Sequence, residues 1–148
     1  MINLYNKILV AMDGSEPSEH ALNHAVEHAD KWNAELIIVS VVPPISPLVY
    51  MGPAPMYIEE YNKAARESHQ SVLTKSSTKI KNDHPGIKFE TRLEEGRPAD
   101  VIVEIAKDED VDLIVMGSRG LGGITGWVLG STSRHVVETC TKPVLIVK

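Results

Sequence analysis

The sequence has very little cysteine. Cys140 is the single one among 148 residues, which excludes an intrachain disulfide framework and a zinc site built from several cysteines. We therefore expect a reducing, cytoplasmic setting. Cys140 falls near the end of a predicted last helix, where a small buried apolar role is favoured over that of a reactive thiol.

Basic charge and long apolar runs are also scarce. The formal net charge is -5, and no cluster of Lys and Arg offers the basic patch that nucleic acids or anionic membranes require. No stretch approaches the roughly 20 apolar residues of a membrane span. Residues 1–7 lack the shape of a signal peptide. We expect neither a nucleic-acid nor a membrane partner.

Strand and helix patterns alternate along the chain. Three apolar runs predict buried strands, at residues 7–12, 35–42 and 113–116, and the apolar run at residues 144–147 predicts the final strand. Residues 87–94 alternate apolar and polar side chains, which predicts a strand at a sheet edge. Four helices are predicted in between, one opened by Ser15 or Ser18, one over residues 56–81, one opened by Pro98 and one over residues 131–140.

This alternation predicts a single doubly wound α/β domain over residues 1–148, with a mainly parallel, Rossmann-like sheet and helices on both faces. Strand 1 is expected in the centre, with strands 2 and 3 on one side and strands 4 and 5 on the other. Ligands of such sheets bind where the strand order reverses. The rule brings Asp13, after strand 1, close to Gly117 and Gly120, after strand 4.

The second predicted helix has a thin apolar stripe. Its inner side is expected to carry Tyr61, Ala65, Ser68, Val72 and Ile80. We therefore expect this helix to be only partly covered by the rest of the domain.

A glycine-rich stretch, residues 116–131, joins the fourth strand to a helix that starts Ser-Thr-Ser. Glycine lets the backbone approach a ligand closely, and amides at a helix start point at anions. Backbone amides, Ser131, Thr132 and Arg119 could together hold phosphates. The stretch is neither a P-loop nor a dinucleotide fingerprint. The alternative is a flexible loop whose glycines serve only turns.

Asp13 and the histidines allow more than one interpretation. Asp13 could accept hydrogen bonds from a ribose or an adenine amino group, support Mg²⁺ among phosphate oxygens, or cap the first helix. His20, His24 and His28 have metal-ligand spacing on that helix, but a solvated helix edge is favoured. The remaining three histidines are expected to be isolated: His69, His84 and His135. No catalytic constellation of nucleophile, base and orienting group is found.

The spacing of the glycines carries a specific resemblance. The chain resembles the ATP-binding universal stress proteins in one motif: Gly117, two residues, Gly120, nine residues and then Gly130 followed by Ser131. The likeness runs from residues 8–15 to residues 143–147 and implies a strand order of 3-2-1-4-5.

The resemblance also implies the roles of individual residues. Positions that resemble those around adenine and ribose are Ala11, Asp13 and Val41, and those that hold ribose and phosphates are Met116, Gly117, Arg119, Gly120, Gly130, Ser131 and Thr132. Ala11 departs from the proline that the family often has there. The implied ligand is ATP, accompanied by Mg²⁺.

An apolar last strand at a sheet edge leaves unpaired backbone groups, which a second copy of the chain could cover. The resemblance implies the same contact, a homodimer through Val144, Leu145, Ile146 and Val147. The sequence thus predicts an ATP-binding, regulatory stress-response protein. Two alternatives remain open: a slow ATPase or nucleotide-dependent transferase on the same fold, and a dimeric interaction scaffold with an unused pocket.

Overall fold

The computed structural model describes residues 2–45, 55–119 and 129–148. Strands and helices alternate within these residues as predicted, and the predicted boundaries differ from the observed ones by at most two residues. The elements are β1 (Lys7–Ala11), α1 (Glu16–Trp32), β2 (Glu35–Val42), α2 (Pro55–Asp83), β3 (Phe89–Glu95), α3 (Pro98–Asp108), β4 (Leu113–Gly117), α4 (Ser131–Thr139) and β5 (Val144–Val147).

The five strands form one sheet with the order β3-β2-β1-β4-β5, which confirms the predicted order. Every neighbouring pair is parallel, so the sheet is parallel throughout rather than mainly parallel. Val10 of β1 pairs with Ile38 of β2 on one side and with Val115 of β4 on the other. The strand order reverses between β1 and β4, and their carboxyl ends lie side by side.

The core has two layers because β1 is buried on both faces. Ile8 and Val10 pack with residues of α1 and α2, whereas Leu9 packs on the opposite face with residues of α3 and α4. All three side chains are completely buried. Cys140 is half-buried against the α3 and α4 face, in keeping with a small packing role.

The start of α1 is fixed by its own side chains. Ser15 is the N-cap residue, and its hydroxyl accepts a hydrogen bond from the amide of Ser18 at 3.3 Å. Pro17 lies in the first turn, where it has no helical hydrogen bond to lose. The helix ends at Trp32, and its C-cap residue Asn33 adopts a left-handed conformation with φ 51°. Of the two serines proposed as caps, Ser15 is the one that caps.

The predicted inner face of α2 is partly wrong. Tyr61 is 61% exposed, and Ser68 is exposed as well, whereas Leu73 and Ser76 are buried. The few apolar residues of this helix do not define its orientation, and polar residues occupy inward positions. Ser76 is satisfied there because its hydroxyl donates to the carbonyl oxygen of Val72 at 2.9 Å.

The histidines of α1 lie along one side of the helix. His20 and His24 are exposed, as predicted. His28 is only half-exposed, because its ring stacks on Tyr5 with the centroids 5.9 Å apart. Within the described ranges, no helix is long and apolar enough to cross a membrane.

Candidate functional site

A cavity of about 390 Å³ opens at the carboxyl ends of β1 and β4, where the strand order reverses. It is lined by every predicted site residue in the described part of the chain: Ala11, Asp13, Val41, Met116, Gly117, Arg119, Gly130, Ser131 and Thr132. Gly120 lies outside the described residues. Residues from opposite ends of the chain, such as Ala11 and Thr132, therefore meet in one cavity.

Gly117 lies where the end of β4 meets the start of α1. A Cβ atom built on Gly117 would lie 2.9 Å from the carbonyl carbon of Pro17 and equally close to the amide nitrogen of Ser18. Such contacts are too short for any real side chain. The absence of a side chain at Gly117 thus has a packing reason that is independent of any ligand.

The two ends of the glycine-rich stretch are joined by hydrogen bonds. The Gly130 amide donates to the carbonyl oxygen of Ser118 at 2.7 Å, and the Ser118 amide donates to Val147 of β5 at 2.7 Å. The Ser133 hydroxyl lies 3.1 Å from the carbonyl oxygens of both Ser118 and Gly130. Ser133 itself is only 1% exposed. These bonds hold Ser118 and Gly130 together, and we call this pair the stem of the glycine-rich stretch.

The first turn of α4 faces this cavity and differs from that of α1. Its N-cap residue is Gly130, and no described side chain makes a cap hydrogen bond there. The amides of an uncapped first turn are available to an anion, and the helix dipole favours negative charge at this end. Ser131, Thr132 and Arg119, whose side chains carry hydroxyl and guanidinium groups, line the cavity as well.

Asp13 lines the same cavity as the start of α4 and lies in the turn between β1 and α1. Its Oδ1 atom accepts a hydrogen bond from the Ser15 amide at 2.9 Å, which holds the carboxylate in the turn before α1. The helix cap is Ser15, so the capping interpretation of Asp13 is wrong. One hydrogen bond uses only part of the accepting capacity of a carboxylate. Asp13 can therefore accept further hydrogen bonds from a ligand.

His69 of α2 also lines the cavity and was missed as a site residue. Its Nδ1 atom lies 2.7 Å from the hydroxyl oxygen of Ser40, which is completely buried in β2. The expectation of an isolated His69 is therefore wrong. A signal was present, since Ser40 interrupts an apolar strand at an inward-facing position, and a buried hydroxyl needs a partner.

Most other missed lining residues are apolar, namely Met12, Val39, Pro43, Pro98 and Ile102, and two are the buried serines Ser18 and Ser133. They come from several elements, and none belongs to a local motif. His135 was also expected to be isolated, but its Nε2 atom lies 3.2 Å from a carboxylate oxygen of Asp100. This pair connects α4 with α3 beside the cavity.

Burial lowers the pKa of the His69 imidazole below its ordinary value of 6.5, and the nearby Asp13 carboxylate opposes that shift. Burial disfavours the charged form of the ring, and it is the larger of the two effects. The folded protein therefore favours neutral His69.

Fold and site together define a doubly wound α/β domain with a ligand cavity at its switch point. The model of the universal stress protein family matches residues 4–148, and the chain belongs to this family. A universal stress protein of Methanocaldococcus jannaschii is 38% identical over 99% of this chain and 84% of its own length. Universal stress protein YxiE of Bacillus subtilis is 36% identical over 98% of this chain and 100% of its own length.

Solved structures of the family share the fold. Universal stress protein UspA from Lactobacillus plantarum has a TM-score of 0.82 at 26% identity, covering 97% of this chain and 98% of its own. A universal stress protein in complex with cAMP has a TM-score of 0.67 at 31% identity, covering 97% of each chain. One from Archaeoglobus fulgidus in complex with dAMP has a TM-score of 0.61 at 26% identity, covering 98% of this chain and 99% of its own.

The lowered pKa of His69 predicts how stability depends on pH. Because the unfolded chain binds the proton more readily, this contribution to the free energy of unfolding is complete above the ordinary pKa of 6.5. It is lost as the pH falls from there through the lowered value. Urea unfolding at about pH 7.5 and about pH 5.5 should show a smaller loss of stability on acidification in His69→Gln than in wild type.

The matched control is His24→Gln, which changes an exposed histidine on α1. It should lose as much stability on acidification as the wild-type protein does. If His69→Gln loses as much stability on acidification as the wild type does, the lowered pKa of His69 is contradicted.

Proposed function

We propose that the cavity binds an adenine nucleotide, with ATP as the ligand that fits its full set of groups. One observation carries the proposal: the uncapped first turn of α4 and the acidic residue Asp13 line the same cavity. The free amides of a helix start suit phosphates, and a carboxylate suits ribose hydroxyls or an amino group. A volume of about 390 Å³ is within the usual range for small-molecule sites.

The phosphates would lie at the start of α4. Backbone amides, the hydroxyls of Ser131 and Thr132 and the guanidinium of Arg119 are the donors for their oxygens. Gly130 keeps the backbone close to this position, and Gly120 is proposed to act likewise. These donors stabilise negative charge from one side of the cavity.

The nucleoside would lie towards β1 and β2. Ala11 and Val41 would offer apolar contacts to the faces of adenine, and Asp13 would accept a hydrogen bond from ribose. Met116 and Gly117, which also line the cavity, would contact the ribose. The family relatives with bound cAMP and dAMP support an adenine nucleotide as the ligand class.

The residues present also fit Mg²⁺, provided that it enters with the nucleotide. Asp13 is the one carboxylate among the described residues that line the cavity. Mg²⁺ in nucleotide sites is commonly held by one or two carboxylates together with phosphate oxygens and water. Asp13 would orient the ion, which would offset the negative charge of the phosphates.

We further propose that the protein is a nucleotide-dependent regulator of the stress response, which is the role that its family name suggests. Occupancy would act through the stem of Ser118 and Gly130, because the proposed phosphate position adjoins it. The same stem is bonded to β5, so the presence of nucleotide can affect the edge of the sheet.

That edge is also where we propose that two copies pair. Among the described elements β5 pairs only with β4, and an edge strand leaves backbone groups open to another chain. The strand is apolar throughout, with Val144, Leu145 and Ile146 half-buried. Contact with a second copy would cover these side chains and backbone groups.

Gly130→Val tests the nucleotide site. A Cβ atom there would lie 3.1 Å from the Cα atom of Arg119 and 3.4 Å from the carbonyl oxygen of Ser118, so the larger valine should displace the stem and the donors beside it. Calorimetric titration with Mg·ATP should show an affinity lower by at least about 100-fold. Circular dichroism should show a folded protein.

Gly86→Val is the matched control, since a Cβ at Gly86 meets no atom within 4 Å. It should bind Mg·ATP like the wild type. Undiminished binding by Gly130→Val would refute the proposed phosphate position.

The double substitution Val144→Lys with Ile146→Lys tests the dimer. Two charges on the edge strand should prevent pairing, and light scattering should then give the mass of one chain. Circular dichroism checks the fold, because both residues also pack on the α3 and α4 face. Ile2→Lys, at a residue that is 92% exposed, should leave the dimer intact. An unchanged mass for the double variant would place the interface elsewhere.

A further inference from the structure

His69, which is hydrogen-bonded to Ser40, is a polar residue of the cavity that the proposed phosphate site does not use. His69 enters the cavity from α2, on the side of Asp13 rather than from α4. Its ring is held through Nδ1 by Ser40 at 2.7 Å. One ring nitrogen is thus engaged by the protein, which leaves Nε2 as the nitrogen that can contact a ligand.

The burial of Ser40 bears on which ring nitrogen of His69 carries the proton. Ser40 is 0% exposed, and a buried hydroxyl needs a hydrogen-bond partner. Nδ1 of His69 is the partner that the described residues provide. Where the hydroxyl donates to Nδ1, the neutral imidazole carries its proton on Nε2.

We propose that His69 recognises the nucleoside part of the ligand by donating a hydrogen bond from Nε2, and that Ser40 positions the ring and selects this tautomer. The inference rests on the proposed function, because it assigns one more contact in the same cavity. The acceptor is a ring nitrogen of adenine or an oxygen of ribose, both of which belong to the nucleoside and are absent from inorganic triphosphate.

The location of His69 separates its effect from phosphate binding. The proposed phosphate donors belong to α4 and to the end of β4, whereas His69 belongs to α2 and contacts β2. Loss of the imidazole should therefore weaken binding of a nucleotide without weakening binding of a bare triphosphate. A residue that only maintained the shape of the cavity would change both affinities together.

The first test compares Mg·ATP with inorganic triphosphate by calorimetric titration. His69→Ala should lower the affinity for Mg·ATP about tenfold, the usual effect of one lost hydrogen bond in a buried site, and should leave the affinity for triphosphate within about twofold. His69→Gln should recover part of the loss, because its amide can donate. Ser68→Ala, an exposed neighbour on α2, should bind both ligands like the wild type.

The second test examines the positioning role of Ser40. Two-dimensional NMR of ¹⁵N-labelled protein reports the tautomer of each imidazole, and His69 is assigned by the signal that His69→Gln lacks. The wild type should show the proton on Nε2. Ser40→Ala should show a mixture of tautomers and an affinity for Mg·ATP reduced about threefold, although His69 is still present.

Each outcome supports or overturns the inference. Wild-type affinity for Mg·ATP in His69→Ala, or an equal loss for triphosphate, would overturn it while the proposed function stands. If the wild type carries the proton on Nδ1 of His69, Ser40 does not select the proposed tautomer and Nε2 cannot donate to the nucleoside. If the wild-type protein itself binds no adenine nucleotide, the proposed function fails and this inference fails with it.

Discussion

The close contact between Gly117 and the start of α1 is the constraint on which the site depends. A Cβ on Gly117 would lie 2.9 Å from Pro17, so only glycine lets the end of β4 pack this closely on the start of α1. Parallel pairing already places the carboxyl ends of β1 and β4 side by side, and the cavity opens beside this contact. Any side chain at Gly117 would push the end of β4 and the start of α1 apart.

The stem of the glycine-rich stretch extends this arrangement to α4. The carbonyl oxygen of Ser118 accepts a hydrogen bond from the Gly130 amide, and the Ser118 amide donates one to Val147 of β5. The start of α4, the end of β4 and the edge strand β5 are therefore joined by hydrogen bonds. The buried hydroxyl of Ser133 adds a further contact with Ser118. Proposed phosphate binding and proposed dimerisation therefore involve neighbouring parts of this hydrogen-bonded unit.

The sequence predicts the fold well because buried parallel strands are continuous apolar runs, and the reversal of strand order follows from chain connectivity. It also predicts residues that the structure brings together, such as Asp13 and Gly117, because both directly follow central strands. The orientation of α2 was partly wrong, since a thin stripe does not define one inner face. The pair of Ser40 and His69 was missed because it forms between a strand and a helix, through packing that local periodicity does not encode.

The central claim is that the cavity between β1 and β4 holds an adenine nucleotide. Its most direct test is a calorimetric titration of the wild-type protein with Mg·ATP, compared with inorganic triphosphate under the same conditions. The account predicts saturable binding of one nucleotide per chain, tighter than the binding of triphosphate. Absence of saturable binding at about millimolar ATP, or equal affinity for triphosphate, would contradict it.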